Sequence, residues 1–510
     1  MFHRDPIEAN LTPSKEGTMT RASLGVFILC LFMLQPAPAQ QPGEVSYRDE
    51  GAFPGGRIGE RIRSLLDTFN SNDPERIRSF LQEECTVRFR DIAPMEEHIQ
   101  VFQETYRQWG GADFHSIRSY VPERAGETVV ILKDRNFGAW RAFVLSWDED
   151  MDFRVAGFRM NDARMPSNVE EPALSEAAFI AEVAGLVKNL CAKDFFSGNL
   201  LVAKGDRVLF TFACGEASKR FHVPIDIDTK FNLGSMNKMF TSLAVMRLVE
   251  KGRLSLDDTL DKFLDETWLP QDMTAKIKIH HLLTHTSGLG SYFNRTYSRS
   301  SRQLFRRLDD YRPLIKSESL AFTPGSSYRY SNTGMFLLGV VIESVTGEDY
   351  FDHIRENIYA PAGMRDSDCY EMDFPVENLA IGYSPAPDSP WKWENNLYKH
   401  VIKGGPAGGG FSTVKDLHRF ALALLAGTYV SQESLTNMWT DQSGSGYGYG
   451  FGIQEGPIGK VVGHSGGFAG INSNLDVYVD SGYIVAAMSN YDQGAGAVTN
   501  RIGALLARVE

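Results

Sequence analysis

The sequence predicts an α+β chain of two folded domains, the larger an antiparallel sheet with helices on both faces. Three observations carry this. The chain has 510 residues, more than one hydrophobic core ordinarily organises. Its first part reads as helices followed by alternating strands. Its second part has short strand patterns at both ends and a helix-rich stretch between them, which one sheet assembled from both ends would explain.

Residues 1–40 read as a signal peptide. Thr20 and Arg21 lead into the apolar run Leu24–Leu34, and Pro36 and Ala37-Pro38-Ala39 follow. The run is too short to span a bilayer well and ends in a small-x-small site. Cleavage near Ala39 is therefore expected, giving a secreted or periplasmic protein with no stable membrane span in the mature chain. Met19 competes with Met1 as the start.

After a Gly/Pro-rich entry, Pro42 to Gly56, helical patterns run over Arg57–Phe69, Pro74–Leu81 and Met95–Trp109. Asp73-Pro74 is a start signal and Gly110-Gly111 a stop. Alternating segments at Phe114–Val121, Glu127–Leu132, Ala139–Trp147 and Phe153–Phe158 read as an antiparallel meander. Helices first and a curled sheet after resembles the cone-shaped nuclear-transport-factor-like fold over residues 44–164. Such a cone implies a pocket where His98 or His115 could meet a ligand, although packing explains both and fold does not imply function. The polar, proline-bearing stretch Asn161 to Pro172 reads as a linker.

The second domain covers residues 173–510. Asn199–Ala203 and Arg207–Ala213 flank Gly205-Asp206 as a hairpin. Tyr447–Ile453, Lys460–Val462, Asn474–Val479 and Tyr483–Met488 read as strands, and Val498–Val509 as a closing helix.

A formal charge of −12, with no basic run to offset it, excludes a nucleic-acid partner. Of five cysteines, Cys30 lies in the signal. Cys85, Cys191, Cys214 and Cys369 are far apart with no C-x-x-C pair, so neither zinc nor a disulfide framework is indicated. No cofactor or metal is called for.

Chemistry concentrates at Gly234-Ser235-Met236-Asn237-Lys238, which opens a helix running to Lys251 and stopping at Gly252. S-x-x-K also occurs at Ser389–Lys392 and Ser412–Lys415. The first of these has proline in a polar loop; the second is a helix cap, with Asp416 three residues after Thr413. The Ser235 helix differs because Met236, Met239, Phe240, Leu243, Ala244, Val245 and Met246 make it apolar nearly all round, the mark of a buried helix. Lys238 is the one formal charge between Met236 and Met246, and lysine is rarely buried without a partner or role. Three residues apart on a helix, its amine reaches the Ser235 hydroxyl. Desolvation drives it toward the neutral form a proton acceptor needs.

With these motifs, the second domain resembles the serine β-lactamase and penicillin-binding protein family, closest to its class C and esterase branch. Gly234–Lys238, Leu282-Leu283-Thr284-His285-Thr286-Ser287-Gly288-Leu289, Tyr330-Ser331-Asn332, Pro406–Gly410 and Gly463-His464-Ser465-Gly466-Gly467 stand in the family's order. The resemblance implies an acyl-enzyme on Ser235, Lys238 as its proton acceptor and Tyr330 as a second acid/base group. It implies Asn332 as a substrate-orienting amide, with Ser465, Gly466 and Gly467 along the substrate. The N–H groups of Ser235 and Gly467 would hold the oxyanion. His285 belongs to a structural turn in the family, so it is not read as part of a serine triad.

His464 stands where β-lactamases of this type carry the lysine of K-T-G. A mostly neutral imidazole anchors a carboxylate less firmly than an ammonium. The expected substrates are therefore small esters, peptides or amides rather than β-lactams. Two alternatives stand beside this: a slow binder of penicillin or peptidoglycan peptides or a D-Ala-D-Ala-type carboxypeptidase, and a ligand-binding first domain beside a vestigial hydrolase.

Overall fold

The computed structural model describes residues 46–122, 126–386 and 389–510. The expected signal peptide, with Leu24–Leu34 and Ala39, lies outside the described residues. Among those residues, no helix is long and apolar enough to cross a membrane.

The first unit is a five-stranded antiparallel sheet in sequential order: β1 (Ser46–Glu50), β2 (Ala112–Val121), β3 (Glu127–Asp134), β4 (Trp140–Asp148) and β5 (Arg154–Asp162). Helices Gly56–Ser71, Pro74–Glu84, Val87–Arg90 and Met95–Trp109 pack on one face around Phe69, Leu81, Phe102, Trp109 and Phe143. The second helix begins where its cap demands, because Asp73 accepts the N–H groups of Glu75 and Arg76. The fourth stops at Gly110, whose φ of +67° is left-handed. Strand β1 lies inside the stretch read as irregular entry. Its polar sequence hides the reason it forms: Asp49 is buried against Arg118 of β2, Nε to Oδ1 2.9 Å.

The segment after β5 is tied down rather than loose. Arg118 donates to the carbonyls of Arg164 and Met165, Tyr47 donates to Met165, and the Ser167 N–H donates to Asp49.

The second unit centres on a six-stranded antiparallel sheet. Its strands are β6 (Gly198–Lys204), β7 (Arg207–Cys214), β8 (Gly452–Gly456), β9 (Gly459–Phe468), β10 (Ile471–Tyr478) and β11 (Tyr483–Ser489), ordered β8-β9-β10-β11-β6-β7. The junction of β11 with β6 joins the two ends of the unit, as expected. Alternation along the strands divides the two faces. Leu201, Leu475, Val477 and Ile484 face the helix-rich middle, including helix Asn237–Glu250. Leu200, Val202, Val485 and Ala487 face the terminal helices Glu176–Ala192 and Ala495–Leu506.

Two features were not legible in advance. Cys191 and Cys214, whose spacing does not indicate a disulfide, form one between the helix Glu176–Ala192 and β7, while Cys85 and Cys369 are free and buried. The units also share a core. In the β3–β4 turn, Phe137 is 6% exposed and packs edge-on to Phe195 at 5.4 Å, within the cluster of Phe179, Val183 and Leu190. Around it, Asn189 donates to the Asn136 carbonyl, and Lys193 to the Arg135 carbonyl and Asn136 Oδ1.

Truncating a phenylalanine in such a joint leaves a cavity in the second unit. Phe137→Ala should cost about 3–5 kcal/mol, read by denaturant unfolding monitored through the second unit. A change below 1 kcal/mol would show that the contact is superficial.

Candidate active site

Ser235 sits in a tight turn, Gly234–Met236, that feeds helix Asn237–Glu250. Three glycines let backbones converge on that turn. Gly234 has φ +50°, and a Cβ there would lie 2.9 Å from Gly466 Cα and Gly467 N. A Cβ on Gly466 would meet the Leu233 carbonyl oxygen at 1.9 Å. One on Gly408, at φ +156°, would meet the Gly234 oxygen at 2.7 Å. Strand β9 and the Pro406–Gly410 segment therefore press on the nucleophile from two sides. Gly467 is exposed, with no protein atom within 4 Å of its would-be Cβ. Its N–H lies beside the Ser235 turn, where an oxyanion site is required. Strand β8 pairs with β9 from Gly459 to Gly463 and ends before His464.

Lys238 is fully buried. Its Nζ lies 3.0 Å from Ser235 Oγ, 2.9 Å from Asn332 Oδ1 and 2.5 Å from the Ala407 carbonyl oxygen. Burial drives its pKa well below the ordinary 10.5. A neutral amine has two hydrogens and one lone pair. Asn332 Oδ1 and the Ala407 carbonyl can only accept, so they take the hydrogens, and the lone pair is left for the Ser235 O–H. That is the arrangement of a general base loaded on its nucleophile.

Tyr330, Ser331 and Asn332 straddle a helix start. The Ser331 hydroxyl caps helix Asn332–Thr346 by accepting the Gly334 N–H at 2.8 Å. This fixes Tyr330 just outside the helix and Asn332 in its first turn. The Tyr330 hydroxyl hydrogen-bonds Ser235, and burial raises its pKa, so it rests as a protonated phenol. The Lys238 Nζ is 4.8 Å from its ring centroid. Asn332, expected to orient substrate, spends both ends on protein: Oδ1 on Lys238, and Nδ2 donating to Ser291 Oγ at 3.3 Å. In this structure it orients the base.

His464 is partly exposed on β9. Its Nδ1 is 2.5 Å from the Ser465 carbonyl oxygen and its Nε2 is 3.1 Å from the Tyr447 hydroxyl. A carbonyl only accepts, so Nδ1 carries the proton and Nε2 receives the Tyr447 O–H. Burial is the largest influence on the imidazole and pushes its pKa down to about 3. The sequence places Tyr447 in a strand, Tyr447–Ile453, and gives it no role at the site. It lies before β8, between glycines, and forms an isolated antiparallel bridge with Gly452, and the one clue was an aromatic pair in Gly446-Tyr447-Gly448-Tyr449-Gly450.

His285 stays out of the chemistry. Its buried ring packs on Tyr330 at 4.3 Å and Tyr447 at 4.6 Å, and Nδ1 accepts the Ser331 N–H. The other two S-x-x-K matches lie apart from this cluster: Ser412 Oγ bonds Ser367, and Ser389 opens a strand. Among the described residues no His/Cys/Asp/Glu group is arranged to hold a metal. In the first unit His98 packs on Phe89 and meets the Arg90 carbonyl, while His115 meets the Ser116 hydroxyl.

The family model described as Beta-lactamase matches residues 182–508. The chain is 31% identical over 329 residues to penicillin-binding protein 4* of Bacillus subtilis, covering 60% of this chain and 71% of that one. It is 30% identical over 251 residues to the esterase EstB of Burkholderia gladioli, covering 46% and 63% respectively. A penicillin-binding protein from Bacillus halodurans superposes with a TM-score of 0.58 at 31% identity, over 62% of this chain and 98% of that one.

The glycines separate two effects. Gly466→Ala must displace β9 from Leu233, and misplacing reacting groups by about 1 Å costs about 10²-fold in acylation. Gly467→Ala meets no protein atom, so its melting temperature should match wild type while KM rises. Equal effects of both on labelling and melting would refute this geometry.

Proposed function

The chain belongs to the β-lactamase family, and from that premise we propose that it hydrolyses uncharged esters or amides through an acyl-enzyme on Ser235. The observation that carries this is the caged Lys238 amine, with two carbonyl-type acceptors on its hydrogens and the Ser235 hydroxyl on its lone pair.

The steps follow from that geometry. Ser235 attacks the acyl carbon as its proton passes to Lys238. The N–H groups of Ser235 and Gly467 receive the oxyanion. Tyr330 gives its proton to the leaving group and recovers one from Lys238, which returns to the neutral amine. Water then adds to the acyl carbon, losing its proton to the same Tyr330–Lys238 pair, and Ser235 leaves with a proton restored. Ser465, Gly466 and Gly467 line the substrate.

His464 sets the preference. A neutral imidazole with Nε2 committed to Tyr447 supplies no cation for a substrate carboxylate, unlike the lysine of K-T-G. The likeness to an esterase at 30% identity supports the same preference. The likeness to penicillin-binding protein 4* favours a second reading, a long-lived acyl-enzyme with peptidoglycan peptides or penicillin. Export fits either reading. The apolar run Leu24–Leu34 and Ala37-Pro38-Ala39 support a cleaved signal, and a disulfide such as Cys191–Cys214 suits an oxidising compartment.

Ser235→Ala should abolish labelling by a fluorophosphonate, and Lys238→Ala should slow acylation by about 10² or more. Because the base works in its neutral form, the lowered lysine pKa should bring the pH profile to its plateau well below pH 10.5. His464→Lys should improve acylation by nitrocefin relative to p-nitrophenyl acetate. Wild-type turnover of nitrocefin faster than of any short ester would overturn the substrate assignment, and stable penicillin labelling without turnover would favour the second reading.

A further inference from the structure

The joint between the two units reaches the active-site strand. Arg107, in the last turn of helix Met95–Trp109, sets its guanidinium 4.8 Å from the ring centroid of Trp393 in the second unit. Trp393 stacks on Tyr491 at 4.1 Å and 23°, and its indole N–H donates to Asp194 Oδ2 at 3.3 Å. The Tyr491 hydroxyl donates to the other oxygen of Asp194. Lys219 lies on the same rings, 4.9 Å from the Trp393 centroid and 5.0 Å from that of Tyr491. The carboxylates whose charge acts on Arg107 here are Asp492, which follows Tyr491 directly in the chain, and Asp194, with Glu104 on its own helix.

Asp492 carries this joint to the site. Its Oδ1 accepts the Ser384 O–H at 2.7 Å and the backbone N–H of Gly470. Gly470 closes the β9–β10 hairpin at φ +68°, where a Cβ would strike Tyr383 N at 2.5 Å. Asn396, next to the strand that bears Trp393, donates to the carbonyl of Ala469 in the same turn at 2.9 Å. Gly467, the candidate oxyanion donor, is three residues before Gly470 and pairs with Asn472 across the hairpin. The turn is thus held from outside the sheet, by a carboxylate and an amide, and the charge of a cation in the first unit acts on that carboxylate.

We propose that Arg107 is a positioning residue for the active site: through Trp393 and Asp492 it fixes the Ala469–Gly470 turn and hence the Gly467 edge beside Ser235. The inference rests on the reading of Ser235 and Gly467 given above. It makes the first unit a clamp on the hydrolase rather than a passenger. Chains of packed and hydrogen-bonded groups carry coupling of this kind, and changes along them alter it by about twofold to thirtyfold.

The test uses the full chain and p-nitrophenyl acetate. Arg107→Ala should lower kcat about tenfold with a smaller change in KM. Arg107→Lys should recover part of the loss, because an ammonium restores charge without the flat guanidinium face. Asp492→Asn keeps an acceptor for Gly470 but removes the charge that Arg107 faces, so Arg107→Ala and Asp492→Asn together should be no worse than the poorer single variant. Wild-type kcat in a folded Arg107→Ala protein, or multiplying effects in the pair, overturns the proposal. If Arg107→Ala does not fold, Arg107→Lys decides: an unchanged kcat overturns it and a partial loss supports it. A wild-type protein with no Ser235-dependent turnover refutes the reading of the site and takes this inference with it. Turnover that ignores Arg107 refutes the inference alone.

Discussion

The burial of one amine organises the site. An ammonium taken out of water without partners is strongly disfavoured, so burial pushes Lys238 toward the neutral amine, and oxygen partners fill its remaining valences. Its partners come from three places in the chain: the turn at Ser235, the first turn of helix Asn332–Thr346, and the carbonyl of Ala407. The same cage suits both forms of the base. When Lys238 takes the serine proton, the third N–H points back at the Ser235 oxygen while Asn332 and Ala407 keep the other two. The transient charge therefore meets oriented oxygens without reorganisation, which is where electrostatic catalysis gains most.

Three elements can meet on one amine because their backbones approach closely. A side chain at Gly234, Gly408 or Gly466 would overlap a neighbouring main chain, so these positions are fixed by contact distance and, at Gly234 and Gly408, by positive φ. Gly467 differs, since its missing side chain leaves space outside the protein rather than inside it. Adjacent glycines thus meet different surroundings, one packing β9 onto the Ser235 turn and the other leaving the strand edge open.

Legibility followed the range of the interaction. Helix Met95–Trp109 was readable at both ends, and the Gly198–Lys204 and Arg207–Cys214 hairpin nearly so, because caps and turns are local signals. The contact of Lys238 with Ser235 was readable because one charge on an all-apolar helix needs a reason. What the sequence hid depends on partners far along the chain. Strand Ser46–Glu50 looks polar until Asp49 meets Arg118. Cys191 and Cys214 gave no pairing pattern, and Phe137 and Arg107 gave no sign that they face another unit. Tyr447 passed for a strand residue because glycine-spaced aromatics fit a strand edge as well as a turn.

The proton inventory of the resting site explains why the histidine matters beyond its own hydrogen bonds. Burial pushes Lys238 toward the neutral amine, keeps Tyr330 a protonated phenol and holds His464 as a neutral imidazole. In those forms the three groups carry no positive charge. A donor that brought a carboxylate would lose water around a full charge and gain no ion pair with them, whereas an uncharged ester loses little on entry. In the proposed mechanism charge then appears at two positions, the ammonium on Lys238 and the oxyanion beside the Ser235 and Gly467 N–H groups. A site neutral at rest and polarised only in the transition state binds the reacting arrangement better than the bound substrate. A permanent lysine in place of His464 would strengthen ground-state binding of anionic donors and repel the ammonium forming on Lys238. The imidazole, held neutral by burial and tied to Tyr447 and Ser465, avoids that repulsion.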